Sequence, residues 1–180
     1  MKAGYDTPQM LKASDTFGLD DFFELTPMSL WLEDYSALYE LFEAWHAQGV
    51  TDLREWLLGD ETRLAQCAGA IHLLRVNRQT LAMYGASSFE ELSARLQDVL
   101  RDDMLEGYIN ELEQLWAGGD SFCGSSVNYA LDGRRLDISL KGVVLPDHQR
   151  RWDRVLVAVE DITSLQDARR QIQLNEQLAR

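Results

Sequence analysis

Positive charge is scarce in this chain. Its 180 residues include 17 Lys and Arg against 30 Asp and Glu, a formal net charge of -13 at pH 7. Such a charge repels phosphates and anionic lipids, so binding to either would need a local basic patch. The densest basic groups, at 150–154 and 169–170, are short and interrupted. The composition therefore argues against nucleic acid as a partner and against direct contact with a membrane.

Cysteine and long apolar runs are also rare. Cys67 and Cys123 are too few for a disulfide scaffold and too far apart in sequence for a metal knuckle, so a reduced protein is expected. No apolar run approaches the ~18 residues of a membrane span. The first residues, MKAGYDTPQMLK, lack the apolar segment of a secretory signal. Together these absences predict a cytoplasmic protein.

Recognisable catalytic patterns are missing as well. No glycine-rich phosphate loop follows a predicted strand. The acidic pairs Glu33-Asp34 and Asp102-Asp103 are interpreted as helix caps or solvated groups, which are common in so acidic a chain. The three histidines have neither a nearby nucleophile nor metal-ligand spacing: His46, His72 and His148. We therefore expect that the chain is not an enzyme and binds no metal.

The segment Gly118–Phe122, GGDSF, differs little from GGDEF, the signature of diguanylate cyclases. In a cyclase this motif is the turn of a hairpin, and the Glu at its fourth place contacts metal and nucleotide. Here the fourth place is Ser121, which cannot replace a carboxylate as a metal ligand. A long amphipathic pattern also precedes the motif, so Gly118 and Gly119 are interpreted as a helix C-cap followed by entry into a strand.

The first half of the chain reads as a strand followed by a helical segment. Residues 8–25 suggest one or two short leading helices, and 29–35 form a first strand rich in strand formers. Ser36, Thr51 and Asp60 are predicted helix starts, and Gly49 is a predicted stop. Residues 36–70 are thus predicted to form a helical insert between two strands.

The middle of the chain alternates short strands and helices. In 71–76, strand alternation places His72, Leu74 and Val76 on one face. Asn77 follows and is a predicted helix cap. Ser88 has the spacing of a capping box and begins another helix. A further amphipathic helix begins at Asp102 or Asp103, with an apolar stripe of Leu105, Tyr108, Ile109, Leu112, Leu115 and Trp116.

Beyond Gly119 the apolar period changes from that of a helix to that of a strand. Two alternating runs, 127–131 and 136–140, flank the turn residues Asp132-Gly133, and a third strand occupies 152–161. Because local turns join these three strands, the pattern predicts an antiparallel meander.

Several of these segments resemble a PAS domain. The stretch IHLLRVNRQTLAMYGASSFEEL is similar to the central pattern of that family: a strand ending in Asn77, a short helix to Gly85, and an E-E-L helix at 90–92. WAGGDSF and LDGRRLDISL resemble its strand-turn-strand half. VEDIT, at 159–163, is similar to the Asp-Ile-Thr that closes many PAS domains where the output helix begins.

The resemblance implies an α+β fold with a five-stranded antiparallel sheet, helices on one face and an internal cavity. It divides the chain into a helical lead-in at 1–26, a PAS-like domain at 27–163 and the start of a signalling helix at 164–180. The insert at 36–70 resembles a subset found ahead of diguanylate cyclase and histidine kinase modules. We expect flanking N- and C-terminal helices.

A sensory PAS module would bind a small molecule in that cavity, and its identity stays open. Eight positions are predicted to face the ligand, with plain core as their alternative role: His72, Leu74, Trp116, Phe122, Tyr129, Leu136, Ile138 and Leu140. Flavin is disfavoured because neither cysteine lies in the Asn-Cys-Arg-Phe stretch of flavin photosensors of this fold. Haem is kept as an alternative cofactor, with His72 as the candidate axial ligand.

The tail is predicted to carry the output. Residues 164–180 lack Gly and Pro, and their apolar residues follow two competing faces at coiled-coil spacing. Asn77, Asp161, Ile162 and Thr163 are the predicted relay residues. The expected partners are a second copy of the chain and a linked effector domain, since a helical pattern running to Arg180 favours a fragment. The alternative is a dimerisation or partner-docking module without a ligand.

Overall fold

The computed structural model describes residues 18–179, apart from the side chain of Asp102. A short helix, α1 (Leu19–Leu25), leads into strand β1 (Ser29–Asp34). There follow α2 (Ser36–Ala47), α3 (Leu53–Leu58), α4 (Glu61–Gly69), β2 (His72–Val76), α5 (Arg78–Tyr84), α6 (Phe89–Ala94), α7 (Leu96–Val99), a 3₁₀ turn (Asp102–Met104), α8 (Leu105–Trp116), β3 (Ser121–Tyr129), β4 (Arg135–Val144), β5 (Val155–Asp161) and α9 (Thr163–Leu178). Residues 1–17 of the predicted lead-in at 1–26 and the last residue, Arg180, lie outside the described residues.

The strands form one antiparallel sheet in the order β2-β1-β5-β4-β3. The predicted meander of β3, β4 and β5 is confirmed, and β1 closes the sheet by pairing with both β5 and β2. Helices pack over one face, and α2, α3 and α4 form the predicted insert between β1 and β2. The predicted α+β class with a five-stranded antiparallel sheet is therefore confirmed.

Side-chain caps set several of the helix starts. Asp52 and Asp60 accept hydrogen bonds from the backbone N–H groups of Glu55 (2.9 Å) and Thr62 (2.9 Å), which begin α3 and α4. The predicted start at Thr51 is thus one residue early. Ser36 lies inside α2, and its backbone N–H donates to Asp34 at 2.8 Å, so the cap is the carboxylate before it.

The Gly118-Gly119 pair ends a helix, as predicted. Helix α8 stops at Trp116, Gly118 adopts a left-handed φ of 89°, and β3 begins at Ser121. Ser121, the fourth residue of the cyclase-like motif, is therefore the first residue of a strand that follows a helix. The segment is not the turn of a hairpin.

A bulge in β2 changes which of its side chains face the helices. Trp31 pairs with Val76 and Leu32 with Arg75, but Glu33 pairs with Leu73, so Leu74 is the extra residue. An extra residue shifts the alternation by one position. The prediction that His72 and Leu74 share the inward face with Val76 is wrong: both are exposed, and Leu73 takes the inward position.

The insert is part of the hydrophobic core. Its three helices bury apolar side chains under the rest of the domain: Leu38, Phe42 and Trp45 from α2, Leu53 and Leu57 from α3, and Cys67 from α4. Helix α9 behaves differently, because none of its residues is buried. The predicted output helix therefore projects from a domain whose other long helices are packed.

Candidate ligand-binding cavity

A cavity of about 440 Å³ lies between the inward face of the sheet and helices α4, α7 and α8. This size falls within the roughly 300–1,000 Å³ of small-molecule sites. Its sheet side is mostly apolar, and the apolar residues there include Trp31, Phe122, Ile138, Leu140, Val157 and Val159. Leu64, Ala65 and Ala68 of α4 and Leu96 of α7 cover it from the other side.

Strand β1 contributes a carboxyl group to this cavity. Glu33 shares the inward parity of Trp31, and the hydroxyl of Tyr35 donates to it at 2.9 Å. Burial raises the pKa of Glu33 to about 7, against a smaller lowering by the Tyr35 hydrogen bond. The accessible part of Glu33 opens onto the cavity, so this carboxyl is available to a bound molecule.

Helix α8 contributes a second carboxyl and a phenol. Burial raises the pKa of Glu111 to about 8, and the neighbouring charge of Glu33 adds to the rise. Tyr108 also lines the cavity, and its buried hydroxyl has no hydrogen-bond partner among residues 18–179. Burial raises the pKa of Tyr108 well above its usual range. We call Glu33, Tyr35, Tyr108 and Glu111 the cavity cluster.

Gly107 lets α8 approach the sheet closely. A Cβ atom at this position would lie 2.8 Å from the backbone oxygen of Ser125 and 2.9 Å from Cβ of Ser126, both in β3. No larger residue fits without moving the helix or the strand. Because Tyr108 and Glu111 follow on the same helix, this contact sets how far they reach over the cavity.

The insert holds the outer side of α8. Arg54 of α3 donates to Glu106 at 2.7 Å, to Asn110 at 2.7 Å and to Glu113 at 2.8 Å. These residues are spaced three and four apart on one face of α8, so a single guanidinium contacts nearly two turns of the helix. Gly107 fixes the distance between α8 and the sheet, and Arg54 fixes its rotation.

A second glycine shapes the floor of the cavity. The ring of Phe122 lies across Gly142 of β4, where an added Cβ would be 2.1 Å from Cζ of the ring. Tyr35 stacks on the same ring, with centroids 6.2 Å apart. Phe122 is thereby held flat against the sheet.

Three of the eight predicted ligand positions line the cavity: Phe122, Ile138 and Leu140. Leu136 is buried elsewhere in the core, 1% exposed. His72 and Leu74 lie on the opposite face of the sheet. Whether the three lining residues contact a ligand stays a prediction.

Trp116 and Tyr129 lie away from the cavity. Trp116 stacks on His46 of α2, with ring centroids 3.6 Å apart, and is held there by the insert. Tyr129 donates to Asp103, and the guanidinium of Arg101 lies 4.3 Å from its ring centroid. The apolar alternation of 127–131 thus marks the outward side of β3, because Ser126 and Asn128, which alternate with these residues, line the cavity.

The sequence interpretation missed the cavity cluster. Glu33 was expected to be a cap or a solvated group, which is wrong, whereas its neighbour Asp34 does cap α2. The alternation of the first strand could have identified it, because Glu33 lies on the same face as Ser29, Trp31 and Tyr35. Tyr108 was assigned to the apolar stripe of α8, and Glu111 was not singled out.

Cofactor attachment has few candidates at this site. No histidine is among the described residues that line the cavity, and His72 lies across the sheet, so the geometric reason for a haem at His72 is lost. Burial raises the pKa of the Cys67 thiol to about 12, and Cys123 is exposed on the outer side of β3. Across residues 18–179, no three or more His, Cys, Asp or Glu side chains are grouped to hold a metal ion.

The predicted relay residue Asn77 is the centre of a buried hydrogen-bonded cluster. Its Oδ1 accepts from the backbone N–H groups of Leu30 (3.0 Å) and Thr80 (3.1 Å), and its Nδ2 donates to the carbonyls of Phe23 (2.9 Å) and Met28 (2.8 Å). Nearby, Ser29 Oγ lies 2.8 Å from the Thr80 hydroxyl and accepts from the indole of Trp31 at 3.1 Å. We call Ser29, Trp31, Asn77 and Thr80 the Asn77 cluster.

The other predicted relay residues lie at the junction between β5 and α9. Asp161 accepts from the backbone N–H of Thr163 at 2.9 Å, and the Thr163 hydroxyl accepts from the backbone N–H of Asp137 at 3.0 Å. The N–H of Ile162 donates to the Asp137 carbonyl at 2.8 Å. Arg170, two turns into α9, also binds the Asp137 carboxylate at 3.1 Å. Asp137, which the sequence interpretation did not select, therefore joins the sheet to the start of α9.

Within residues 18–179, no helix is both long and apolar enough to cross a membrane.

Comparison with known proteins identifies the fold. No family model matches the chain, and no curated protein sequence matches it. A PAS domain of a LuxR-family transcriptional regulator from Burkholderia thailandensis, solved in complex with ethanol, is 11% identical; the match covers 81% of this chain and 98% of that one, with a TM-score of 0.50. A PAS domain from Colwellia psychrerythraea is 12% identical, with coverage of 81% and 94% and a TM-score of 0.52. The chain thus has the PAS fold.

Proposed function

We propose that this chain is a regulatory sensory module that binds a small organic molecule in the cavity and passes the change through α9 to an effector domain. The carrying observation is the 440 Å³ cavity lined by the cavity cluster, whose Tyr108 hydroxyl has no partner within the described chain. Buried polar groups are normally paired, so an unpaired one beside a cavity favours a bound molecule as the missing partner. The module itself catalyses no reaction.

The similar Burkholderia thailandensis domain supports a ligand in this fold, since it was solved in complex with ethanol. The junction at Asp137 supports the relay, because a shift of β4 or β5 would act directly on the first turns of α9. The effector would be a linked domain such as a cyclase, a kinase or a phosphodiesterase.

Native mass spectrometry of the purified protein tests ligand binding. We expect a mass excess over the 180-residue chain that disappears on denaturation and reappears as a released small molecule. An absorption spectrum of the same sample detects haem or flavin. A protein of bare mass that also fails to bind any added small molecule would contradict the proposal.

The relay is tested in a longer chain that carries the effector. Asp161→Ala removes the carboxylate that caps the start of α9, and we expect effector output that no longer follows the ligand while the domain stays folded. Glu160→Ala is the matched control, because Glu160 is the exposed neighbour of Asp161 and accepts no bond at the junction. Equal regulation in both variants would remove Asp161 from the relay.

A dimerisation module without a ligand is the second candidate. The observation in its favour is the exposed apolar surface of α9, where Leu165 is 49%, Ile172 58% and Leu178 86% exposed. Such a helix favours pairing with another. Dimers at micromolar concentration together with an empty cavity would support this candidate over the first.

A further inference from the structure

We propose that the cavity selects a small organic ammonium ion, a proposal that rests on the proposed ligand-binding function. Such a ligand has an apolar body and a protonated amine, and the amine would bind between Glu33 and Glu111. The geometry points to this class because two carboxyls from different elements face one apolar cavity.

The polar groups inside the cavity are suited to accept hydrogen bonds from a cation. The carboxyl of Glu111 forms no hydrogen bond or ion pair with any residue described in 18–179, and the carboxyl of Glu33 receives one hydrogen bond, from the Tyr35 hydroxyl. Tyr108 is 8% exposed, and its hydroxyl oxygen is unpaired. An ammonium group has three N–H donors and no acceptor, so it satisfies acceptors of this kind.

An anionic ligand would find a single counter-charge, at the rim of the cavity. Among the described residues that line the cavity, Arg101 is the one cation, and it is already engaged at the rim. Its Nε donates to the carbonyl of Asp98 at 3.0 Å, and its guanidinium lies over the ring of Tyr129. A carboxylate or phosphate deeper in the cavity would lie beside Glu33 and Glu111, which costs free energy because it repels whichever of the two carboxyls is ionised.

The protonation of the two carboxyls makes binding pH-dependent. Burial raises the pKa of Glu33 to about 7 and that of Glu111 to about 8, so the empty cavity holds protons near neutrality. A bound cation favours the ionised carboxylate and expels a proton. The other titratable groups around them are Tyr35, Tyr108, Cys67 and Glu61, with Arg101 at the rim. Burial raises the pKa of both phenols and of the thiol, so those groups stay neutral in this range.

The apolar walls define the rest of the ligand. Trp31, Phe122 and Leu140 line the sheet side, and Leu64 lines the helix side. Removing a hydrocarbon body from water against these walls contributes about 0.8 kcal/mol per CH₂. The expected ligand is therefore an alkyl or aryl-alkyl amine rather than a small inorganic cation.

Isothermal titration calorimetry with three isosteric probes tests the ligand class: n-hexylammonium, 1-hexanol and hexanoate. At pH 8 we expect hexylammonium to bind at least about tenfold more tightly than hexanol, an advantage of about 1.4 kcal/mol, and hexanoate to bind more weakly than either. The affinity for hexylammonium should rise with pH by up to about tenfold per unit between pH 6 and 8, as expected for release of one proton.

Glu111→Gln keeps the size of the side chain but cannot ionise. We expect it to reduce the preference for hexylammonium over hexanol to less than about threefold and to flatten the pH dependence. Glu43→Gln is the control, an exposed residue on α2 whose replacement should change neither. Near-ultraviolet circular dichroism establishes that both variants fold.

Two outcomes separate the proposals. If hexanol or hexanoate binds as tightly as hexylammonium, or if affinity for hexylammonium falls with pH, the ammonium assignment is overturned and the cavity is still a ligand site. If none of the three probes binds the wild-type protein, the ammonium assignment fails. If native mass spectrometry of that protein also shows only the mass of the chain, with no bound molecule, the proposed sensory function fails too.

Discussion

The Asn77 cluster and the cavity cluster are both buried and both polar, yet they differ in how completely their groups are paired. Both polar atoms of the Asn77 side chain are bonded, to backbone groups of β1, α5, α1 and the segment that leads into β1. In the cavity cluster, the Tyr108 hydroxyl is unpaired and the Glu111 carboxyl has no hydrogen-bond or ion-pair partner among the described residues.

This difference separates a structural role from a binding role. A fully paired buried network fixes one arrangement of the chain, whereas a partly paired one lowers stability until something completes it. The Asn77 cluster connects β1 to α1, to the segment between α1 and β1, and to α5, so it holds β1 in place. The cavity cluster borders a space of about 440 Å³ where a ligand would complete the pairing.

Asn77→Ala is the strongest test of the structural role. The change removes four hydrogen bonds to buried or half-buried backbone groups, which lose Asn77 as their partner. We expect the free energy of unfolding to fall by about 3–4 kcal/mol, measured by urea denaturation. Asn175→Ala on exposed α9 is the control and should change stability by less than about 0.5 kcal/mol. A similar small loss for both variants would show that the Asn77 network does not hold the fold.

Gly107→Ala tests whether close packing of α8 positions the cavity cluster. Its new methyl group would lie under 3 Å from the β3 backbone, so α8 must shift, at an expected cost of about 2 kcal/mol. Gly69→Ala in α4 meets no atom within 4 Å and should instead stabilise the protein by about 0.5 kcal/mol or more, because Ala favours helix. Thermal unfolding of the two variants gives the comparison. A stabilising Gly107→Ala would mean that α8 and β3 are not in close contact.

Two tyrosine-to-phenylalanine changes sharpen the contrast between paired and unpaired groups. Tyr84 is buried and accepts a hydrogen bond from Asn128 at 2.7 Å, so Tyr84→Phe leaves that amide unpaired and should cost about 1–2 kcal/mol. Tyr108→Phe removes a hydroxyl that has no partner, so the stability of the ligand-free protein should stay equal or rise by up to about 1 kcal/mol. Urea denaturation of both variants measures this. Equal losses would indicate that the Tyr108 hydroxyl is paired in solution.

The elements of the fold were largely predictable because they depend on local chemistry. Asp60 and Ser88 accept from the backbone N–H groups of Thr62 and Glu91, as their positions predicted. The Asp132-Gly133 turn joins β3 and β4, and Gly133 has a left-handed φ of 88°. Caps and turns involve residues a few positions apart, so the sequence shows both partners at once.

The candidate site was much less predictable. The bulge at Leu74 reversed the inward face of most of β2, and a bulge is set by how a strand pairs with its neighbour. In β3 the predicted inward position of Phe122 is correct and that of Tyr129 is wrong, because Ser126 and Asn128 share the inward side with Phe122. Alternation tells which side chains share a face, and only packing tells which face is inside.

By itself, the sequence determined the order of strands and helices, the insert at 36–70, the C-cap at Gly118 and the change of direction at Gly133, because each follows from local propensities. The tertiary structure decided that Glu33 and Glu111, 78 positions apart on β1 and α8 (111 − 33), face the same cavity. A glutamate that faces a cavity looks in sequence like one that faces water. The difference arises from the close approach of α8 at Gly107 and the contacts of Arg54, neither of which any local pattern encodes.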